Sequence, residues 1–280
     1  MTMSRTLSLG YSPCPNDTYI FYALTHGKIA LPNFSIAERL EDVETLNQLA
    51  LVGKLDLTKI SYHALGHLRD RYALLRSGGA IGRGCGPLMI APVKTDMQRL
   101  RGKRIAIPGQ MTTANLLLQL YGAGYDNLLM VPFDQIMPAL RRGDAAAGVI
   151  IHESRFTYQA AGFHEVLDLG AWWEGDTGLP IPLGGILARR DLGVEMVHVI
   201  EQAIQFSLEF AREHSPETRS YIKEHAQELD DKVIDAHIEL YVNNFSLDLG
   251  AEGLKAVETL LERAEKRALI PKSREPLFLS

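Results

Sequence analysis

Apolar and polar positions along this chain alternate between two periods. TLSLG (6–10), FSIAERL (34–40) and LDLTKIS (55–61) read as strands. Helical stretches lie between them. One leaves the corner SPCPND and runs to about His26, with Gly27 just past its end. Another covers 42–52, with Val43, Leu46, Leu49 and Ala50 on one face and Gly53 behind it. A short helix starts in SYHALGHLRD, after Ser61.

The same order then returns. GKRIAIPG (102–109), NLLMVPF (127–133) and DAAAGVIIH (144–152) read as strands. The helices QMTTANLLLQLYG, with Gly122 near its end, and DQIMPALRRG, ending at Gly143, separate them. Strands alternating with helices indicate parallel sheet. Two such runs, 6–61 and 103–152, predict two α/β lobes. Between the runs, two strands flank the glycine-rich loop GGAIGRGCGP (78–87). A strand follows that loop where a dinucleotide fingerprint needs a helix, so the loop reads as turns that let the backbone approach something closely. After WWEGDTGLP the tail predicts helices over 194–213, 216–228, 231–242 and 250–268, with Ser215 and Pro216 as N-cap and first residue of the second. PLMIAPVK and LGGILARR are apolar strands with polar exits and read as crossovers. They divide the chain into lobe one (1–92 and 188–280) and lobe two (93–187), crossed twice, as at a hinge.

Open parallel sheets bind ligands beyond the C-terminal ends of their strands. The residues there are Ser12 to Asp17, Ser61, Thr112, Thr113 and His152. With the lobes facing each other, these groups line one cleft. Pro13 and Pro15 stiffen the corner, and Asn16 or Asp17 is placed to cap the helix that follows. Thr112 and Thr113 start a helix on the opposite lobe. Each start alone is an ordinary cap, but two facing helix N-termini suit a ligand with a carboxylate and other oxygens. His152 ends an apolar strand at the cleft, and neutral imidazole is the natural base near pH 7. Neighbours on an extended segment point to opposite sides, which leaves the role of Glu153 open.

Composition removes other classes. The chain has 280 residues, 46% apolar and 22% charged, enough for a full core. A net charge of −5 without a basic block argues against a nucleic-acid surface. No apolar run approaches a membrane span, and MTMSRTLSLGYSPCPND lacks the apolar core of a signal peptide, so the expected location is the cytoplasm. The two cysteines, Cys14 and Cys85, are expected as free thiols, Cys14 as a small packing residue. No metal is expected, because His63 and His67 lack a third ligand. There is no Gly-x-Ser-x-Gly elbow and no phosphate loop of Walker type. Arg83, Trp172 and Trp173 read as solvated or packing residues as readily as ligand contacts.

SPCPNDTYIFYAL, the Gly82-to-Leu88 segment, Pro108 to Leu118, IIHESRFTY and LPIPLGGI occur in that order over most of 7–190. Together they resemble the 1,4-dihydroxy-6-naphthoate synthases of the futalosine route to menaquinone. The resemblance implies a two-lobed, twice-crossed fold like the type II periplasmic binding proteins. It implies cleavage of cyclic dehypoxanthinylfutalosine to 1,4-dihydroxy-6-naphthoate and a three-carbon fragment, without metal or organic cofactor. It places the general base on His152 and substrate anchors on Ser61, Thr112 and Thr113; Ser12 and Asn16 join them from the corner. The implied partner is a small carboxylated substrate, with neither nucleic acid nor membrane, and the oligomeric state is open. Two rivals share the fold: chorismate dehydratase of the same pathway, and a cytoplasmic solute-binding protein without chemistry. The proline–cysteine corner and IHESRFTY favour the synthase.

Overall fold

A computed structural model describes residues 5–31, 34–227 and 229–279. The first half of lobe one runs β1 (Arg5–Tyr11), α1 (Pro15–Thr25), β2 (Phe34–Leu40), α2 (Val43–Leu51), β3 (Leu57–Ser61), α3 (Tyr62–Leu68), β4 (Tyr72–Leu74) and β5 (Ala80–Gly82). The second lobe follows as β6 (Leu88–Ala91), β7 (Ile105–Ile107), α4 (Thr113–Tyr121), β8 (Leu128–Met130), α5 (Ile136–Arg142), β9 (Ala147–Ile150), α6 (Ser154–Thr157), β10 (His164–Asp168) and α7 (Leu169–Thr177). The chain then returns through β11 (Ile181–Arg189) to the tail helices α8 (Val194–Glu213), α9 (Ser215–His225), α10 (Asp231–Tyr241), α11 (Asn244–Leu247) and α12 (Gly250–Lys266).

Two sheets result, ordered β2-β1-β3-β11-β4 with β5 also on β11, and β10-β6-β9-β7-β8. The expected parallel pairs form: β1 with β2 and β3, and β7 with β8 and β9. Antiparallel strands extend both sheets. β11 runs against β3, β4 and β5, and β6 runs against β9 and β10. The chain therefore changes sheets before residue 88 and again before residue 181. The expected divisions at 92 and 187 lie later, the first just past β6 and the second inside β11. An apolar run identifies a strand, but its hydrogen-bond partners decide its sheet.

Apolar faces close each layer. Leu7, Leu9, Phe21 and Leu24 meet Ile200, Ile204 and Leu208 of α8 over the first sheet. Ile90, Ala106, Ile136 and Leu140 form the core of the second. Tyr19 packs on Ala211, Ile222 and Ile234, which seats the tail helices on α1. The glycine-rich loop finds its close approach at Gly86, where a Cβ would lie 2.3 Å from the Gly170 Cα. Two helix starts shift from their expected positions. α9 is capped at His214 and begins at Ser215, one residue early. α1 is capped at Cys14, so Asn16 and Asp17 sit inside its first turn. Pro15 explains the second shift, since proline is favoured at the first helical position and cannot lie deeper. Among the described residues no helix is long and apolar enough to cross a membrane.

Candidate active site

The corner between β1 and α1 is organised by one carboxylate. Asp17 Oδ2 accepts from Ser12 N at 3.2 Å and Ser12 Oγ at 2.7 Å. Asp17 Oδ1 accepts from Asn16 Nδ2 at 2.8 Å and pairs with Lys59 Nζ at 3.2 Å. Lys59 comes from the middle of β3 and also donates to the Gly78 carbonyl at 2.8 Å. Both side chains of this ion pair are almost wholly buried, 5% and 3% exposed. From α10, His237 Nε2 lies 2.9 Å from Asn16 Oδ1, which fixes Nε2 as the donor. The Asn16 amide is thus oriented at both ends.

The end of β3 is pinned from α2. Ser61 N donates to Asn47 Oδ1 at 3.0 Å, and Asn47 Nδ2 donates to Ser61 Oγ at 3.3 Å. The Ser61 hydroxyl proton stays available to the cleft. Across the cleft, Thr112 caps α4: its hydroxyl accepts from Asn115 N at 3.3 Å and donates to Gly109 O at 2.8 Å. Thr113 Oγ1 donates to Leu183 O of β11 at 2.6 Å. The hydroxyl protons of both threonines are therefore committed to carbonyls. What this helix start offers a ligand is its first N–H groups, which have no intrahelical acceptor.

His152 follows β9 with φ of 56°, a left-handed conformation uncommon for a residue with a side chain. Its ring meets Phe133 edge-on at 5.0 Å and lies nearly parallel to His237 at 6.1 Å. Burial pulls its pKa down to about 4, with Asp17 opposing and Lys59 adding to the effect. The ring is neutral at pH 7. The left-handed turn also changes Glu153. The alternation expected for an extended segment does not apply, and the Glu153 carboxylate, a His152 nitrogen and Cys14 Sγ lie within 4.8 Å of one another. Burial, then the Glu153 charge, pushes the Cys14 thiol well above its usual range. A thiol held neutral is a poor nucleophile.

Ser12, Asn16, Asp17, Ser61, Thr112, Thr113 and His152 line one cavity between the lobes, with about 650 Å³ of space that opens to solvent. Cys85 lines it too, its thiol pushed up to about 12 by burial. Arg83 does not; it is half exposed and pairs with Glu252 at 2.8 Å. Trp173 is fully buried and donates to Pro180 O at 3.0 Å, while Trp172 packs on Tyr121. These tryptophans belong to the packing of α7. Lys59 and Tyr241 also face the cavity, and Asn47 and His237 support it from behind. Sequence reasoning passed over all four. Only Lys59 carried a visible signal, a charge in the middle of a strand that is otherwise buried.

The chain matches the family described as menaquinone biosynthesis over residues 7–266. It belongs to that family. A 1,4-dihydroxy-6-naphthoate synthase from Thermus thermophilus is 53% identical over 275 residues, 98% of this chain and all of that protein. The enzyme of the same name from Streptomyces coelicolor is 45% identical over 272 residues, covering 95% of each chain. A crystal structure of an Archaeoglobus fulgidus protein superposes on this family member with a TM-score of 0.89 at 37% identity, over 95% of this chain and 98% of the other. The alkanesulfonate-binding protein of Xanthomonas axonopodis pv. citri aligns at a TM-score of 0.70 and 17% identity, over 95% and 94% of the two chains. That likeness shows the fold alone: two lobes of the periplasmic-binding-protein type.

Proposed function

We propose that this chain is a carbon–carbon lyase that converts cyclic dehypoxanthinylfutalosine to 1,4-dihydroxy-6-naphthoate. The observation that carries this reading is the 53% identity with a synthase of that name along its entire length. His152 acts as the base. Neutral at pH 7, it takes the proton from a hydroxyl of the sugar-derived part. The alkoxide becomes a carbonyl, the adjoining C–C bond breaks, and its electron pair enters the ring as an enolate that aromatises. The step is redox-neutral and needs no organic cofactor. The substrate carboxylate binds at the N-terminus of α4, beside the Ser61 hydroxyl, with Ser12 and Asn16 on the facing wall. Closure of the lobes excludes water from the enolate. The reaction takes place in the cytoplasm on a small carboxylated molecule.

The test is direct. Purified protein is incubated with cyclic dehypoxanthinylfutalosine, and in parallel with chorismate, and the products are followed by mass and ultraviolet absorbance. Appearance of dihydroxynaphthoate is the expected result. Dehydration of chorismate would move the chain to the sister activity, and binding without turnover of either would make it a receptor.

A further inference from the structure

The cleft holds a cation that the base-and-anchor scheme leaves unused. Lys59 Nζ donates to Gly78 O at 2.8 Å and forms an ion pair with Asp17 Oδ1 at 3.2 Å, so at least one of the three ammonium N–H groups has no acceptor among the described residues. Its partner is saturated: Asp17 already receives Ser12 N, Ser12 Oγ, Asn16 Nδ2 and the lysine itself. Both Asp17 oxygens are thus engaged, while Lys59 keeps an N–H to give. That ammonium is almost wholly buried, yet it lines the same cavity as His152, Ser61 and Thr113. Burying an ion pair is a poor way to gain stability, because desolvation offsets the attraction. A fixed cation in a water-poor site is an effective way to stabilise charge that appears only during reaction.

Building on the lyase reading, we propose that Lys59 is a catalytic residue whose free N–H binds the ring oxygen on which enolate charge develops as the C–C bond breaks. The broken bond leaves its electron pair on the ring. The negative charge settles on that oxygen, and the ammonium returns a proton to it to form the hydroxyl of the product. When the lobes open, Lys59 regains a proton from solvent and His152 releases to solvent the proton it took from the substrate. Asp17 holds the lysine in place, and Ser12, Asn16 and Gly78 hold the pair in position.

The test compares wild type, Lys59→Met and the double variant Asp17→Asn with Lys59→Met, which leaves no buried charge unpaired. Turnover of cyclic dehypoxanthinylfutalosine, binding of dihydroxynaphthoate and thermal unfolding are measured for each. The expected result is a kcat lower by on the order of 10²–10³ in both variants. KM and product affinity should change by less than about tenfold, since the charge exists only in the transition state. A double variant that recovers kcat to within about tenfold of wild type would reduce Lys59 to a counterion of Asp17 and overturn the proposal. So would a fall confined to KM. If the wild type does not turn over this substrate, the lyase reading fails first, which is a separate outcome.

Discussion

His237 Nε2 and Asn16 Oδ1 meet at 2.9 Å, joining a helix near the end of the chain to the first turn of its first helix. Both side chains are buried, so removing one partner strands the other without water. His237→Leu should lower stability by about 1–3 kcal/mol in urea unfolding. His237→Gln, which keeps a donor, should recover part of that loss. Equal stabilities for the two variants would mean that the contact contributes packing and no hydrogen bond.

The backbone at His152 makes a prediction that separates geometry from chemistry. At φ of 56° glycine is at ease and alanine is not. His152→Gly should melt above His152→Ala, by an amount on the order of 1 kcal/mol. Both should bind the product, and both should lose roughly 10²–10⁴-fold in kcat, the usual worth of a general base. Wild-type kcat in either variant would remove His152 from that role.

Acid should act on this protein through its buried imidazoles, His63, His152 and His237, all of which burial pulls below the ordinary range. Burial pulls both His63 and His152 down to about 4 from the ordinary 6.5. The folded state therefore favours the neutral rings, and between those two pH values the unfolded chain binds more protons. The stabilisation is fully present above pH 6.5 and is lost as pH falls through about 4. For His63 alone the loss is on the order of 3 kcal/mol. His63→Gln should flatten the stability profile in that window. The acid limb of kcat/KM should lie near pH 4, well below 6.5. An acid limb at 6.5 in a fully folded sample would place the base on another group.

Three hydrogen bonds from lobe one grip the start of α4. Glu44 Oε2 accepts from Met111 N at 3.0 Å, His63 Nδ1 donates to Thr112 O at 3.3 Å, and Leu183 O accepts from Thr113 Oγ1 at 2.6 Å. Gly109 leaves room for the first: a Cβ there would lie 2.5 Å from Glu44 Cγ, at a φ of +156°. Gly109→Ala and Glu44→Ala should both loosen this grip. Each is expected to raise KM severalfold with a smaller change in kcat, and small-angle scattering should show a larger radius of gyration for the ligand-free variants. An unchanged KM would show that closure does not depend on Glu44.

Much of this was written in the chain's periodicity. The parallel cores β2-β1-β3 and β9-β7-β8, the tail helices and the cluster of strand ends around one cleft follow from alternation and helix stops alone. β10 and α7 escaped because neither carries a strong period, and Asp168 both ends β10 and caps α7, so no linker separates them. The position of Glu153, which alternation leaves open, is set by a tertiary feature. A left-handed residue at 152 breaks the alternation that a strand would impose. His237 and Asn47 were invisible for another reason: their roles arise from partners 221 and 14 residues away in sequence, and no local pattern encodes such a pairing.

The place of β11 bears on how this protein is made. It lies between β3 and β4, inside a sheet whose other strands all precede residue 83. On the ribosome, those strands emerge first and wait for a central neighbour that is translated after the whole of lobe two. Lobe two is contiguous, with its strands confined to 88–168, and is the unit able to finish first. The first sheet can therefore be completed only after all of lobe two has been translated, although domains generally fold in N-to-C order. Asn16 and Asp17 leave the exit tunnel early, but they reach their final setting only after α10 has brought His237 against them.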